Sequence, residues 1–140
     1  MGDNNVKLLG RLLLGLIFIL AAVPKLTEPA SLGPFVESKV LSRLPVPSPL
    51  DGSQVAFLTG VLEFGGGLLF VFPPTRHIGA LILFILLVSF SVCVHDFWAQ
   101  DEAHLNEQRT HFLKNIAMAG GALLVLGEQT MASNEKAKRL

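Results

Sequence analysis

The chain has 140 residues, of which 51% are hydrophobic and only 16% charged, and its formal net charge is zero. A soluble domain carries about 25% charge, so this composition indicates one integral membrane domain and gives no electrostatic reason for a nucleic-acid partner. The one cysteine, Cys93, cannot form an internal disulfide, and no CxxC or Cys/His ligand set accompanies it, so thiol redox chemistry within the chain and a metal site are not expected.

The first apolar segment runs from Leu8 to Leu26, with Arg11 near its start and Lys25 closing it. Lys7 and Arg11 ahead of an apolar run are signal-like. However, Pro24-Lys25-Leu26 follows without a small-x-small cleavage site, so a retained first membrane helix is expected. The next stretch, 27–54, is long for a bare loop. Within it Phe35, Val36, Val40, Leu41 and Leu44 recur at helical spacing between Glu37, Ser38, Lys39 and Arg43. That pattern predicts a short amphipathic helix lying in the interface, ended by Pro45-Val-Pro-Ser-Pro49. It is either a cap over a cavity or a partly buried connector.

The second apolar segment, Val55 to Phe72, contains Glu63, and no other charge falls between Asp51 and Arg76. Glu63 lies roughly 12 Å from either end of the predicted helix. A charge at that depth costs at least ~2.5 kcal/mol unless it is paired, protonated or wetted. Two readings follow: a structural ion pair, with Arg11 as the expected partner, or a functional acid that handles a proton or a carbonyl ligand. The Gly65-Gly66-Gly67 run lacks the lysine and serine of a phosphate loop and reads as a packing face, as do Gly15, Gly120 and Gly121.

Pro73-Pro74 closes the second segment, and the third, Ile78 to Val94, is uncharged. His95-Asp96-Phe97-Trp98 ends it. Phe97 and Trp98 fit an interfacial anchor, and His95 is a candidate for facing a cavity between helices. His104 and His111 fall in the following loop, and the fourth segment runs from Phe112 to Leu126, with Lys114 near its start. The segments are about 15–19 residues long, at the short end for a ~30 Å hydrocarbon core. The expected fold is an all-α, four-helix membrane bundle over 1–127, with a polar tail over 128–140. Four spans place both termini on one side, and the cluster Lys136-Ala-Lys-Arg139 favours the inside.

Gly10-Arg11-Leu-Leu-Leu-Gly15, Pro24-Lys25-Leu26, Glu63-Phe-Gly-Gly-Gly67, Arg76, His95-Asp-Phe-Trp98, Gln108 and Phe112-Leu-Lys-Asn-Ile-Ala-Met-Ala-Gly-Gly121 occur in that order. The set resembles the DoxX family over about residues 7–127; the long 27–54 segment departs from it. The resemblance implies a four-helix membrane bundle. Its relatives include a small subunit of a thiosulfate:quinone oxidoreductase, proteins of quinone or catechol stress and, more distantly, cargo receptors and assembly chaperones. The function expected is an accessory subunit of a quinone-linked membrane complex, not catalytic on its own, because no flavin, haem or iron–sulfur ligand set is present. Its partners would be lipid and other membrane subunits. A quinone or bound lipid is the expected ligand, touching Glu63, Arg11 or His95, and no catalytic residue is assigned. The alternatives are a scaffold or assembly chaperone for other membrane helices and, third, an independent quinone oxidoreductase.

Overall fold

The computed structural model describes residues 3–137, with side chains described over 4–128. The cluster Lys136–Arg139, on which the inside orientation rests, lies outside the described side chains. All regular structure among the described residues is helical: α1 Asp3–Thr27, α2 Pro29–Lys39, α3 Gly52–Val71, α4 Arg76–Cys93 and α5 Glu102–Ala137, with single 3-10 turns at Leu41–Arg43 and Phe97–Ala99.

Local chemistry sets several helix ends. Asp51 caps α3: its Oδ1 accepts from the Gln54 N–H at 2.9 Å, and the Gln54 side chain accepts from the Asp51 N–H at 3.1 Å. This reciprocal pair satisfies two orphan donors and starts the helix ahead of the apolar run. At the other end Phe72, which precedes Pro73, is extended at φ −76°, ψ 120°, as the steric demand of a following proline favours. The turn into α4 is then pinned by Thr75 Oγ1 donating to Leu69 O at 3.0 Å and by Arg76 Nη1 donating to Pro73 O at 2.7 Å. Helix α5 is continuous across the region expected to be a loop, so His104 and His111 are helical. Asp101, just before it, accepts from the His104 N–H at 3.0 Å. Its backbone also continues to Ala137, through most of the expected tail.

The four long helices alternate in direction. Gly15 of α1 faces Gly67 and Val71 of α3, while Lys25 faces Gly60. Gly66 of α3 meets Ile82 and Leu83 of α4, and Gly79 meets Phe70. His77 and Val125 lie at one end of the α4–α5 contact and His95 and Gln108 at the other. All four supply one apolar cluster of Phe18, Phe70, Ala80, Leu83, Leu87 and Ala119.

Close approach is what the glycines provide. A Cβ on Gly79 would overlap the Phe70 backbone, and one on Gly15 would lie 2.7 Å from Val71 Cγ2 and 3.1 Å from Gly67 O. Gly66 and Gly67 are similarly confined and Gly121 is in ordinary contact with Leu14, but Gly65 and Gly120 face open space. The last two do not pack helices among the described residues.

The exterior is apolar. Leu13, Leu20, Ile78 and Leu124 are all more than half exposed, as a surface solvated by lipid requires. Among the described residues three helices are long and apolar enough to cross a membrane: Asn4–Thr27, Gly52–Val71 and Arg76–Ala99. The fourth expected span, 112–126, lies within α5, where Lys114 and Asn115 interrupt the apolar run. The expected amphipathic helix begins earlier than its apolar pattern, at Pro29, because proline suits the first helical position. It docks on α3 through the close approach of Gly33 to Gly52 and Ser53, while Phe35 and Leu44 stay exposed.

These contacts predict that Gly79→Leu will lower the unfolding midpoint in detergent by an amount equivalent to about 1–3 kcal/mol, the usual range for overpacking. Gly65→Ala and Gly120→Ala, which meet nothing, should be neutral or stabilising by up to ~1 kcal/mol. Thermal unfolding of the three purified variants checks this ranking.

Candidate functional site: the polar groups inside the bundle

Glu63 is 2% exposed and points into the bundle from the middle of α3. Both of its carboxylate oxygens accept from one ammonium: Lys25 Nζ lies 2.7 Å from Oε2 and 2.9 Å from Oε1. Lys25 also donates to Ala21 O at 3.4 Å, and its Nζ lies 5.5 Å from the centre of the Phe90 ring. The aromatic face adds a cation–π contact where water is scarce.

The partner of Glu63 is thus Lys25, not Arg11. The α1–α3 register explains the difference. Gly15 already faces Val71 at the C-terminal end of α3, so Arg11, one turn earlier, lies past that end. Lys25 is ~21 Å further along α1, at 1.5 Å per residue, and reaches the level of Glu63.

Arg11 is itself buried, 8% exposed, on the interior face it shares with Gly15, Phe18 and Ala22. Its Nε has no hydrogen-bond partner among the described residues. Nearby, Glu128 accepts ion pairs from Lys7 at 3.4 Å and from Arg76 Nε at 4.0 Å.

His95 lies at the opposite end. Its Nδ1–H donates to Gln108 Oε1 at 2.8 Å, and its ring stacks on His111 with centroids 4.9 Å apart. Lys114 Nζ donates to His111 Nδ1 at 3.2 Å. Burial, then Lys114 and His95, lower the His111 pKa below its ordinary 6.5, with Glu107 opposing. Phe97, Trp98 and Phe112 form an edge-to-face cluster beside this pair, with Trp98 58% exposed.

A second buried acid, Asp96, was not singled out by sequence reasoning. It is 2% exposed. Arg43 Nη1 reaches its Oδ2 at 2.8 Å, Lys39 Nζ lies 3.6 Å from Oδ1, and Gln100 Nε2 donates to Oδ1 at 2.8 Å. Asp96 therefore ties the end of α2 and the turn after it to the α4–α5 connection. The available signal was the pair Lys39 and Arg43, four residues apart, together with one acid at the end of an apolar span; nothing local joined them.

Glu63, Arg11 and His95 do not converge on one ligand position: Arg11 and His95 sit at opposite ends, and Glu63 is engaged by Lys25. An open cleft of about 790 Å³ lies between α2 and the start of α3, lined by Glu37, Leu41, Ser42, Pro49, Asp51 and Gln54 among others, and it touches none of the three. No group of three or more His, Cys, Asp or Glu side chains among the described residues is arranged to hold a metal ion. Cys93 is half-buried with a free thiol.

A family model described as methylamine utilisation protein MauE matches residues 4–127. The chain belongs to that family. This overturns the resemblance to the DoxX family, a different membrane family. Glu63 aside, the motifs behind that resemblance were short runs of glycine and charged or aromatic residues near span ends. Any small bundle in lipid needs those features for close helix contact and end anchoring, so they discriminate poorly between families. No curated protein and no solved structure matches the chain.

Removing one partner of a buried pair leaves an uncompensated charge, at a cost of about 3–5 kcal/mol, whereas replacing both with apolar residues is often neutral. Lys25→Met and Glu63→Leu should each lower stability by that order, and the double variant should recover most of the loss. Arg11→Met combined with Glu63→Leu should be additive. Unfolding midpoints for the two double-mutant cycles decide between these outcomes.

A pH dependence follows from His111. Its folded pKa is depressed, so the unfolded state binds the proton more readily. The stability it contributes is complete above pH 6.5 and is lost as pH falls through its lowered folded value. His111→Asn should flatten this part of the stability–pH profile.

Proposed function

We propose that this MauE-family membrane protein is an accessory component of a methylamine-utilisation redox system, with no reaction of its own. The family description supplies the system. The observation that carries the accessory role is the bidentate engagement of Glu63 by Lys25. The one acid deep in α3 is committed to holding α1 against α3, and the other buried acid, Asp96, to holding the α2 end in place. Groups consumed in this way contribute to architecture more readily than to acid–base turnover.

In this reading α5 crosses the membrane beside α4. The support is its antiparallel contact with α4 from His77–Val125 to His95–Gln108, since a helix packed along a spanning helix shares its depth. Both ends of the chain then lie on one side, for which the Lys7–Glu128 pair is the structural support, and the inside remains the favoured side. Phe97 and Trp98 anchor the opposite interface. The exposed apolar faces are solvated by lipid and available to other membrane subunits. A quinone or lipid is the ligand class proposed for the outer side of the ion pair. There the Lys25 side chain is 24% exposed and lies beside Phe90, so its ammonium could donate to a carbonyl or ester oxygen.

Purification of the tagged chain from its native membranes in mild detergent tests the role. The expected result is a co-purifying complex that oxidises methylamine with a dye acceptor, and its yield should fall at least severalfold for Lys25→Met. A chain that purifies alone and turns over a soluble quinone analogue would reject the accessory reading.

A further inference from the structure

We propose that the end of the bundle where α1 begins binds the phosphate of an anionic lipid, with Arg11 and Arg76 as its ligands. Three cationic side chains gather there. Lys7 lies one turn before Arg11 on the same face of α1 and reaches Glu128 at 3.4 Å. Arg76, at the start of α4, reaches the same Glu128 at 4.0 Å. Glu128 is therefore shared, and it is the one acid that the described side chains bring to this end. Glu63 is held by Lys25, and Asp96 lies at the opposite end. His77, also near, uses its Nδ1 on Val125 O at 3.1 Å.

The two arginines are incompletely satisfied. Arg11 is more than nine-tenths buried and makes no hydrogen bond or ion pair among the described residues. The Nε of Arg76 is also buried without a hydrogen bond, its Nη1 being spent on Pro73 O. A buried guanidinium cannot lose its proton to escape the cost of desolvation, so it requires an anion or an acceptor. Its planar fork matches phosphate oxygens, and basic pockets between membrane helices suit anionic headgroups.

The surroundings favour a lipid over a free ion. Leu8, Leu12, Phe72 and Leu124 are exposed around this end and offer an apolar surface along which acyl chains can lie. A headgroup phosphate at Arg11 and Arg76 would continue directly into that surface.

Native mass spectrometry of the full chain in mixed micelles, with phosphatidylglycerol or phosphatidylcholine as probe, tests the assignment. Wild type should retain phosphatidylglycerol in clear preference to phosphatidylcholine. Arg11→Gln and Arg76→Gln should each weaken that retention about tenfold, as loss of one charge-assisted hydrogen bond implies. Arg109→Gln, at the exposed opposite end where Arg109 donates to Asn106, should leave it unchanged. If Arg11→Gln does not fold, Arg76→Gln carries the test alone. Equal retention of both lipids, or retention unaffected by the foldable variants, would overturn the site. Thermal stabilisation by inorganic phosphate without any lipid preference would overturn the lipid as its source.

Discussion

The Lys25–Glu63 ion pair is the constraint around which the rest of the bundle is arranged. A carboxylate in the middle of an apolar helix has to meet a cation, and here one ammonium satisfies both oxygens. For Lys25 to reach that depth, α1 must run antiparallel to α3 in one register. That register in turn brings Gly15 against Gly67 and Val71 at the far end of the contact. The pair and the glycine crossing thus define the same α1–α3 geometry from two separated levels. A slip of one residue along either helix would strand the charge and drive a side chain into backbone.

Polar chemistry elsewhere is distributed toward the two ends. At one, Asp96 gathers Arg43, Lys39 and Gln100 and closes the α2 segment over the α4–α5 connection. At the other, Lys7 and Arg76 share Glu128, and Arg11 lies buried one turn along α1 from Lys7. Between them lies the aliphatic and aromatic cluster from Phe18 to Leu87, with Ser91, which donates to Leu87 O, and Asn115 as further buried polar side chains. Such a chain resembles a strut with charged ends and an internal bolt. This agrees with the accessory role proposed for a MauE-family protein.

Much of the architecture was legible locally. The apolar run lengths and the Pro73-Pro74 stop located α1, α3 and α4, because a bilayer forces long, uninterrupted helices. The Asp51-x-x-Gln54 capping box is equally local, and it explains why α3 starts ahead of its apolar run. Other features were ambiguous for physical reasons. The 102–111 segment is polar enough to look like a loop, yet it is helical because it continues a helix packed on α4. Glycine content also failed to identify contacts: Gly65 and Gly66 are adjacent, but only Gly66 faces a neighbour.

The amino-acid sequence by itself determined that this is a helical membrane protein with an acid that cannot remain unpaired in lipid. Composition and run length are enough for that, since hydrocarbon admits few backbone solutions and penalises lone charge. Only the tertiary structure decided which cation answers Glu63. Arg11 and Lys25 lie on one helix and each carries a charge able to pair with a carboxylate, and the register of α1 against α3 selects Lys25. The same holds for Asp96, whose basic partners Lys39 and Arg43 stand more than fifty residues earlier in the chain, and for Arg11, whose interior position without a hydrogen-bond partner among the described residues no local pattern shows.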